Sequence, residues 1–183
     1  MRFLAAKTFP SQMVSPKMMV LTLAALLALA LASPSFAATK EMKVFKDWGV
    51  YRGDTDAGRI CYMSSVPKSL KGDYDRNNRG ETRVFVTHGP GKADRNVVSV
   101  LAGYKYKKQS DVTFAIDGKD NTLFTMNNRA WALPDQDAQL VTKMKRGNKL
   151  IVTGISSRGN KTIDEYSLSG FTKAKQFMDS LCK

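Results

Sequence analysis

The stretch "RNVVSVLAGYKY", residues 95–106, sets Val98, Val100, Ala102, Tyr104 and Tyr106 two apart along the chain. Neighbouring residues of an extended chain point to opposite faces, so this spacing gathers five apolar side chains on one face of a strand. Similar segments recur at 43–53, 58–67, 81–89, 111–117, 121–126, 148–156 and 161–169. Pro67 closes the second of them, and the polar segment 68–80 reads as an exposed loop. Asp117-Gly118 and the "SRGN" of 157–160 are hairpin turns, because Gly and Asn tolerate the positive φ such turns need. Seven or eight short strands with turns at regular spacing predict an all-β sandwich of antiparallel strands.

Two helices interrupt the strands. Residues 134–147 open with Pro134, carry Asp135 and Asp137 in the first turn, and close with Lys145, Arg146 and Gly147. Acid at the start and base at the end complement the helix dipole. Residues 171–181 set Phe171, Ala174, Phe177, Met178 and Leu181 on one stripe at helical spacing, with Lys173, Lys175 and Asp179 expected to face out. The fold expected is therefore mainly β, with a C-terminal helix and one additional short helix.

The N-terminus carries a different message. Arg2, Lys7 and Lys17 precede an uncharged apolar run from Met18 to Ala32, and Ser35 and Ala37 stand at −3 and −1 of a small-residue cleavage site. This is the pattern of a secretory signal peptide over 1–37. The apolar run is shorter than the roughly 18–20 residues of a membrane span. Translation could start at Met1, Met13 or Met18. Residues 38–183 remain as a single domain, exported to the periplasm, with attachment to the outer membrane or surface exposure left open.

Two cysteines, Cys61 and Cys182, remain in that domain. An even pair in an exported chain reads as one disulfide. The redox alternative lacks the Cys-x-x-Cys spacing that depresses a thiol pKa.

The whole chain holds 29 Lys and Arg against 16 Asp and Glu. Three of the basic residues lie in the leader, so the mature domain keeps 26 against 16, a net charge of +10. Such a charge favours an anionic partner, in the envelope or on a host surface. Candidate contacts are Arg76, Arg79, Lys105, Lys107, Lys108 and Arg158. Alternating Tyr and Lys in "YKYKKQ" could stack bases, but export argues against nucleic acid.

Catalytic patterns are missing. His88 is the one histidine, set beside a "GPG" turn. It reads as an exposed loop residue, and a hydrolase using it is the weaker alternative, because no Gly-x-Ser-x-Gly elbow is present. One His and two Cys have no zinc-like spacing. Asp73 and Asp75 lack the remaining acids of a calcium loop. Asp164 and Glu165 are adjacent on a strand and so face opposite ways. Trp48 and Trp131 each sit within an apolar segment and read as core. No cofactor motif appears.

Several pieces together resemble the invasion-associated locus B family, exported proteins of Gram-negative bacteria. "VFKDWGVY" is similar to that family's Phe-x-x-Trp-x-Val opening, carried here by Phe45, Trp48 and Val50. "CYMSSVP" resembles its first Cys strand, and "NRGETRVFVTH" its Arg-Gly segment. "LVTKMKRGNKLIVTGISSRGNKTIDEYSLSGFTKAKQFMDSLC" resembles its C-terminal block, with Gly-x-x-Leu-x-Val-x-Gly-x-Ser, then Tyr-Ser-Leu-x-Gly-Phe, then a final Cys. The resemblance spans nearly all of 41–183. It implies an immunoglobulin-like β-sandwich, a role in host-cell interaction or invasion, and no catalytic residues. Tyr51 stands where many relatives carry a second early Cys, so their disulfide there is not implied. A structural or stress-related envelope protein without a specific ligand remains the other reading.

Overall fold

The computed structural model describes residues 39–91 and 93–182. The signal-peptide expectation for 1–37 lies outside the described residues. Eleven strands form one antiparallel sheet: β1 (Lys40–Phe45), β2 (Trp48–Thr55), β3 (Gly58–Ser65), β4 (Ser69–Lys71), β5 (Arg83–His88), β6 (Val97–Leu101), β7 (Asp111–Ile116), β8 (Thr122–Met126), β9 (Arg129–Trp131), β10 (Lys149–Ile155) and β11 (Lys161–Ser167). Helix α1 (Asp137–Arg146) follows β9, and α2 (Phe171–Leu181) follows β11.

The strand order is β1-β2-β3-β5-β6-β9-β8-β7-β10-β11-β4. Strands β3 and β4 stand eight places apart in it, yet only Val66, Pro67 and Lys68 separate them in sequence. Eight flat spacings would part them by about 38 Å, while four Cα steps reach at most about 14 Å. The sheet must therefore fold back on itself, and the expected sandwich is one sheet doubled over. Contacts between the early and late strands hold it so. Trp48 Nε1 donates to the Ser167 carbonyl at 3.0 Å, and the Thr82 and Tyr166 hydroxyls meet at 3.2 Å.

Alternation places the core. Val84 and Val86, Val98 and Val100, Val112 and Phe114, and Leu150 and Val152 are all essentially inaccessible. They fill the space between the two layers, where facing sheets pack about 10 Å apart. Helix α2 lays Phe171, Ala174 and Met178 against β1, β2 and β3. The Phe171 ring meets Trp48 edge-on, 4.8 Å between centroids. Gly170 enters this helix at φ 90°, where a side chain would collide with the Phe45 carbonyl. The joint therefore requires glycine twice over, by conformation and by space.

Several expectations need correction. The first strand is two, β1 and β2, because Lys46 turns the chain at φ 54°. The loop 68–80 contains β4, and β9 was not anticipated. Helix α1 begins at Asp137, since Gln136 is tied back to the Leu133 carbonyl in a turn. Lys175 does not face out. Its side chain is 5% exposed, and its ammonium donates to Asp179, one turn on, at 2.5 Å. Among the described residues no helix is long and apolar enough to cross a membrane.

Candidate functional site

Strand β6 ends at Leu101, and the chain then runs to β7 through Tyr104 and Tyr106. Gly103 makes this departure possible. It holds φ 76°, and any side chain there would strike the Gly80 carbonyl. The Gly80 amide in turn donates to the Gly103 carbonyl at 2.9 Å. Beyond the crossing, residues 105–107 lie along the β10–β11 hairpin. The Ser157 amide donates to the Lys105 carbonyl at 2.7 Å, and the Lys107 amide to that of Ile155 at 2.9 Å. Between these segments and the turn at 74–79 opens a cleft of about 500 Å³.

A buried ion pair borders this cleft. The Arg79 and Asp164 side chains are 4% and 3% exposed. They meet through two parallel bonds, at 2.7 Å and 2.5 Å. Arg79 also donates from Nε to the Ala102 carbonyl at 2.9 Å and to the Tyr74 hydroxyl at 2.7 Å. Burial alone would lower the Arg79 pKa, but the hydrogen bonds and charge of Asp164 outweigh it and raise it. The guanidinium also lies 5.1 Å from the Tyr104 ring centre and 5.3 Å from that of Tyr74. Tyr104 shares a 2.6 Å hydrogen bond with Thr162. Burial pushes its phenol upward, so it stays protonated.

The six candidate basic residues do not form one cluster. Arg79 is a structural cation, neutralised by Asp164, and is not available to a partner; this corrects the expectation for it. Arg76 is exposed but borders a separate depression beside Lys68 and Lys71. Lys105, Lys107, Lys108 and Arg158 are all exposed, on two segments that backbone bonds at Lys105 and Lys107 set side by side. None of the four makes an ion pair among the described residues. Lys105 and Arg158 also line the cleft.

Sequence reasoning missed Tyr74, Thr162 and Asp164. Asp164 and Glu165 do alternate faces, with Asp164 2% exposed and Glu165 half-buried. A lone Asp on an inward strand position was the available signal that a buried cation must meet it. Asp75 caps the 3-10 turn Arg76–Asn78, accepting from the Asn77 amide at 2.9 Å.

His88 is the largest correction. It is not exposed in a loop but fully buried at the end of β5, opposite Cys61 on β3. Its Nδ1 accepts from the Asn96 amide at 3.0 Å. That leaves Nε2 as the protonated nitrogen, donating to Asp179 at 2.7 Å. Burial lowers the imidazole pKa, so the ring is neutral. Burial pushes Asp179 up, but hydrogen bonds from His88 and Lys175 outweigh this and hold its carboxyl below the usual range. The ring is 1% exposed. A carboxylate is present, as catalysis would need, but the ring is closed to a substrate. Beside it, Cys61 and Cys182 are joined in a disulfide that ties β3 to the end of α2. Among the described residues no cluster of His, Cys, Asp and Glu could hold a metal.

The pieces that suggested a family thus touch one another. Trp48 meets Ser167 and Phe171, Gly170 meets Phe45, Arg79 meets Asp164, and Cys61 meets Cys182. They are the joints of the fold. Comparison with known proteins found no curated protein and no solved structure that matches. The family model of the invasion associated locus B (IalB) protein, however, matches residues 51–179, from β2 nearly to the end of α2. The chain belongs to the invasion-associated locus B family.

Proposed function

We propose that this chain is an exported, non-enzymatic envelope protein that contacts an anionic partner through the ridge of Lys105, Lys107, Lys108 and Arg158. One observation carries the reading: backbone bonds between 105–107 and 155–157 lay side by side the two segments that carry these four exposed cations, and none of the four has a carboxylate partner among the described residues. Four uncompensated charges on a rigid ridge attract polyanions, and the net charge of the mature domain adds to the field. The enclosed ring of His88 speaks against the hydrolase reading, since a general base must reach its substrate. Family membership is compatible with the partner being a component of the bacterial envelope or of a host surface.

The test uses the mature protein on an immobilised sulfated polysaccharide and on vesicles rich in anionic lipid. Retention at low ionic strength should be strong and should fall steeply as salt approaches about 1 M, where screening is nearly complete. Lys105→Glu, Lys107→Glu, Lys108→Glu and Arg158→Glu together should abolish it, whereas Lys40→Glu and Lys43→Glu on β1 should leave most of it. Equal loss from both sets would reduce the effect to bulk charge and end the ridge reading. Fractionation of producing cells, with protease accessibility of intact cells, tests export and separates periplasmic from surface placement.

A further inference from the structure

We infer that the cleft beside the ridge recognises a single sugar ring carrying an acidic group. The inference rests on the proposed anion-binding role of the ridge, and it supplies the selectivity that scattered lysines lack. The volume, about 500 Å³, lies within the range of small-molecule sites. Most such sites are lined mainly by apolar groups, whereas polar atoms make up about half of this lining. Hydroxyls and amides of Tyr74, Tyr104, Ser157 and Asn160 surround it. The side chains of Ser157 and Asn160 make no hydrogen bond among the described residues. An aliphatic ligand would strand these groups without partners, at a cost for each polar group buried. A polyhydroxylated ring brings donors and acceptors to meet them.

The electrostatics select among sugars. Arg79 and Asp164 cancel each other and present no net charge. Asp75, on the same lining, is engaged with Asn77 and Asn78. Those amides are neutral, so Asp75 keeps its charge, but Lys105 and Arg158 on the same lining outweigh it and leave a net positive site that favours one acidic substituent. The walls are also set in advance. Four of the five N–H bonds of Arg79 are engaged, and Tyr104 is fixed by Thr162. Binding need not order them, which removes a cost that mobile side chains would impose. A carboxylate and a phosphate satisfy this chemistry alike, so a uronic acid of a polysaccharide and a phosphorylated sugar of a glycolipid are both sources.

The mature protein is titrated with glucuronate, glucose 6-phosphate, glucose and inorganic phosphate, followed by amide chemical shifts. At least one acidic sugar should bind saturably, about tenfold or more tighter than glucose and than inorganic phosphate. The stronger of the two acids tells carboxylate from phosphate sources. Paired changes Ser157→Ala and Asn160→Ala should weaken that binding about tenfold while retention on sulfated polysaccharide persists. Lys107→Glu with Lys108→Glu should do the reverse. Equal binding of glucose, or of phosphate alone, overturns the inference, as does no saturable binding. If polysaccharide is retained but no sugar binds, the cleft fails and the ridge stands; if an acidic sugar binds without polysaccharide retention, the ridge fails and the cleft stands.

Discussion

His88 donates to Asp179 and accepts from Asn96, an arrangement only the neutral ring with its proton on Nε2 can make. As the sole histidine, it gives one set of imidazole resonances. These should show the Nε2-protonated tautomer and a titration displaced below the ordinary value of about 6.5. The linkage has a definite sign. Below about pH 6.5 the unfolded chain takes up a proton that the folded ring refuses, so stability falls as pH falls. Asp137 opposes this. Burial pushes its carboxyl up to about 6, with the Val98 amide pulling the other way. The folded state therefore gains a proton before the unfolded one does, and stability rises as pH falls through about 6. Asp137→Asn keeps an acceptor for Val98 and removes the titration. Urea unfolding between about pH 6.5 and 4.5 should thus show a steeper loss in Asp137→Asn than in the parent. Parallel curves, or an imidazole that titrates normally, would contradict the burial of one group or the other.

Within α2, the apolar stripe divides unequally. Phe171 is fully buried against Trp48, while Phe177 is half-buried and packs at 5.5 Å on Phe45 of edge strand β1. Phe171→Ala should therefore cost about 3–5 kcal/mol, and Phe177→Ala clearly less. Equal shifts of the two unfolding midpoints in urea would mean that α2 is docked otherwise. This stripe was legible in the sequence because helical spacing and burial coincide in it. Strands β3, β5, β7, β8, β10 and β11 were legible as short β-branched and aromatic runs set between turn signals. The β1–β2 turn was not, because Lys46 takes a positive φ without Gly or Asn to mark it. Strand β9 is only three residues long and alternates too briefly to be seen. The cleft was half legible. Lys105 and Arg158 stood out by charge, but their meeting depends on β6 ending at Leu101 and on the crossing of Gly80 and Gly103. His88 was misplaced because the turn after it is exposed, while the residue itself completes the inward alternation of β5.

Across the whole molecule, the Cys61–Cys182 bond closes a loop that runs from β3 through β11 to the end of α2, with Cα atoms 6.0 Å apart. Thiol labelling of the denatured, unreduced protein should find no free thiol. Reduction should lower stability by about 2–5 kcal/mol, enough to matter in a domain that holds about 5–15 in total. Two free thiols before reduction would contradict the pairing. The same bond sets a schedule for biogenesis. The two cysteines lie 121 residues apart, and at about 5–20 residues per second the ribosome needs roughly 6–24 s between them. Throughout that interval Cys61 has no partner in its own chain. Any oxidant it meets early can join it only to another molecule, so the protein depends on its second thiol arriving before a neighbour does.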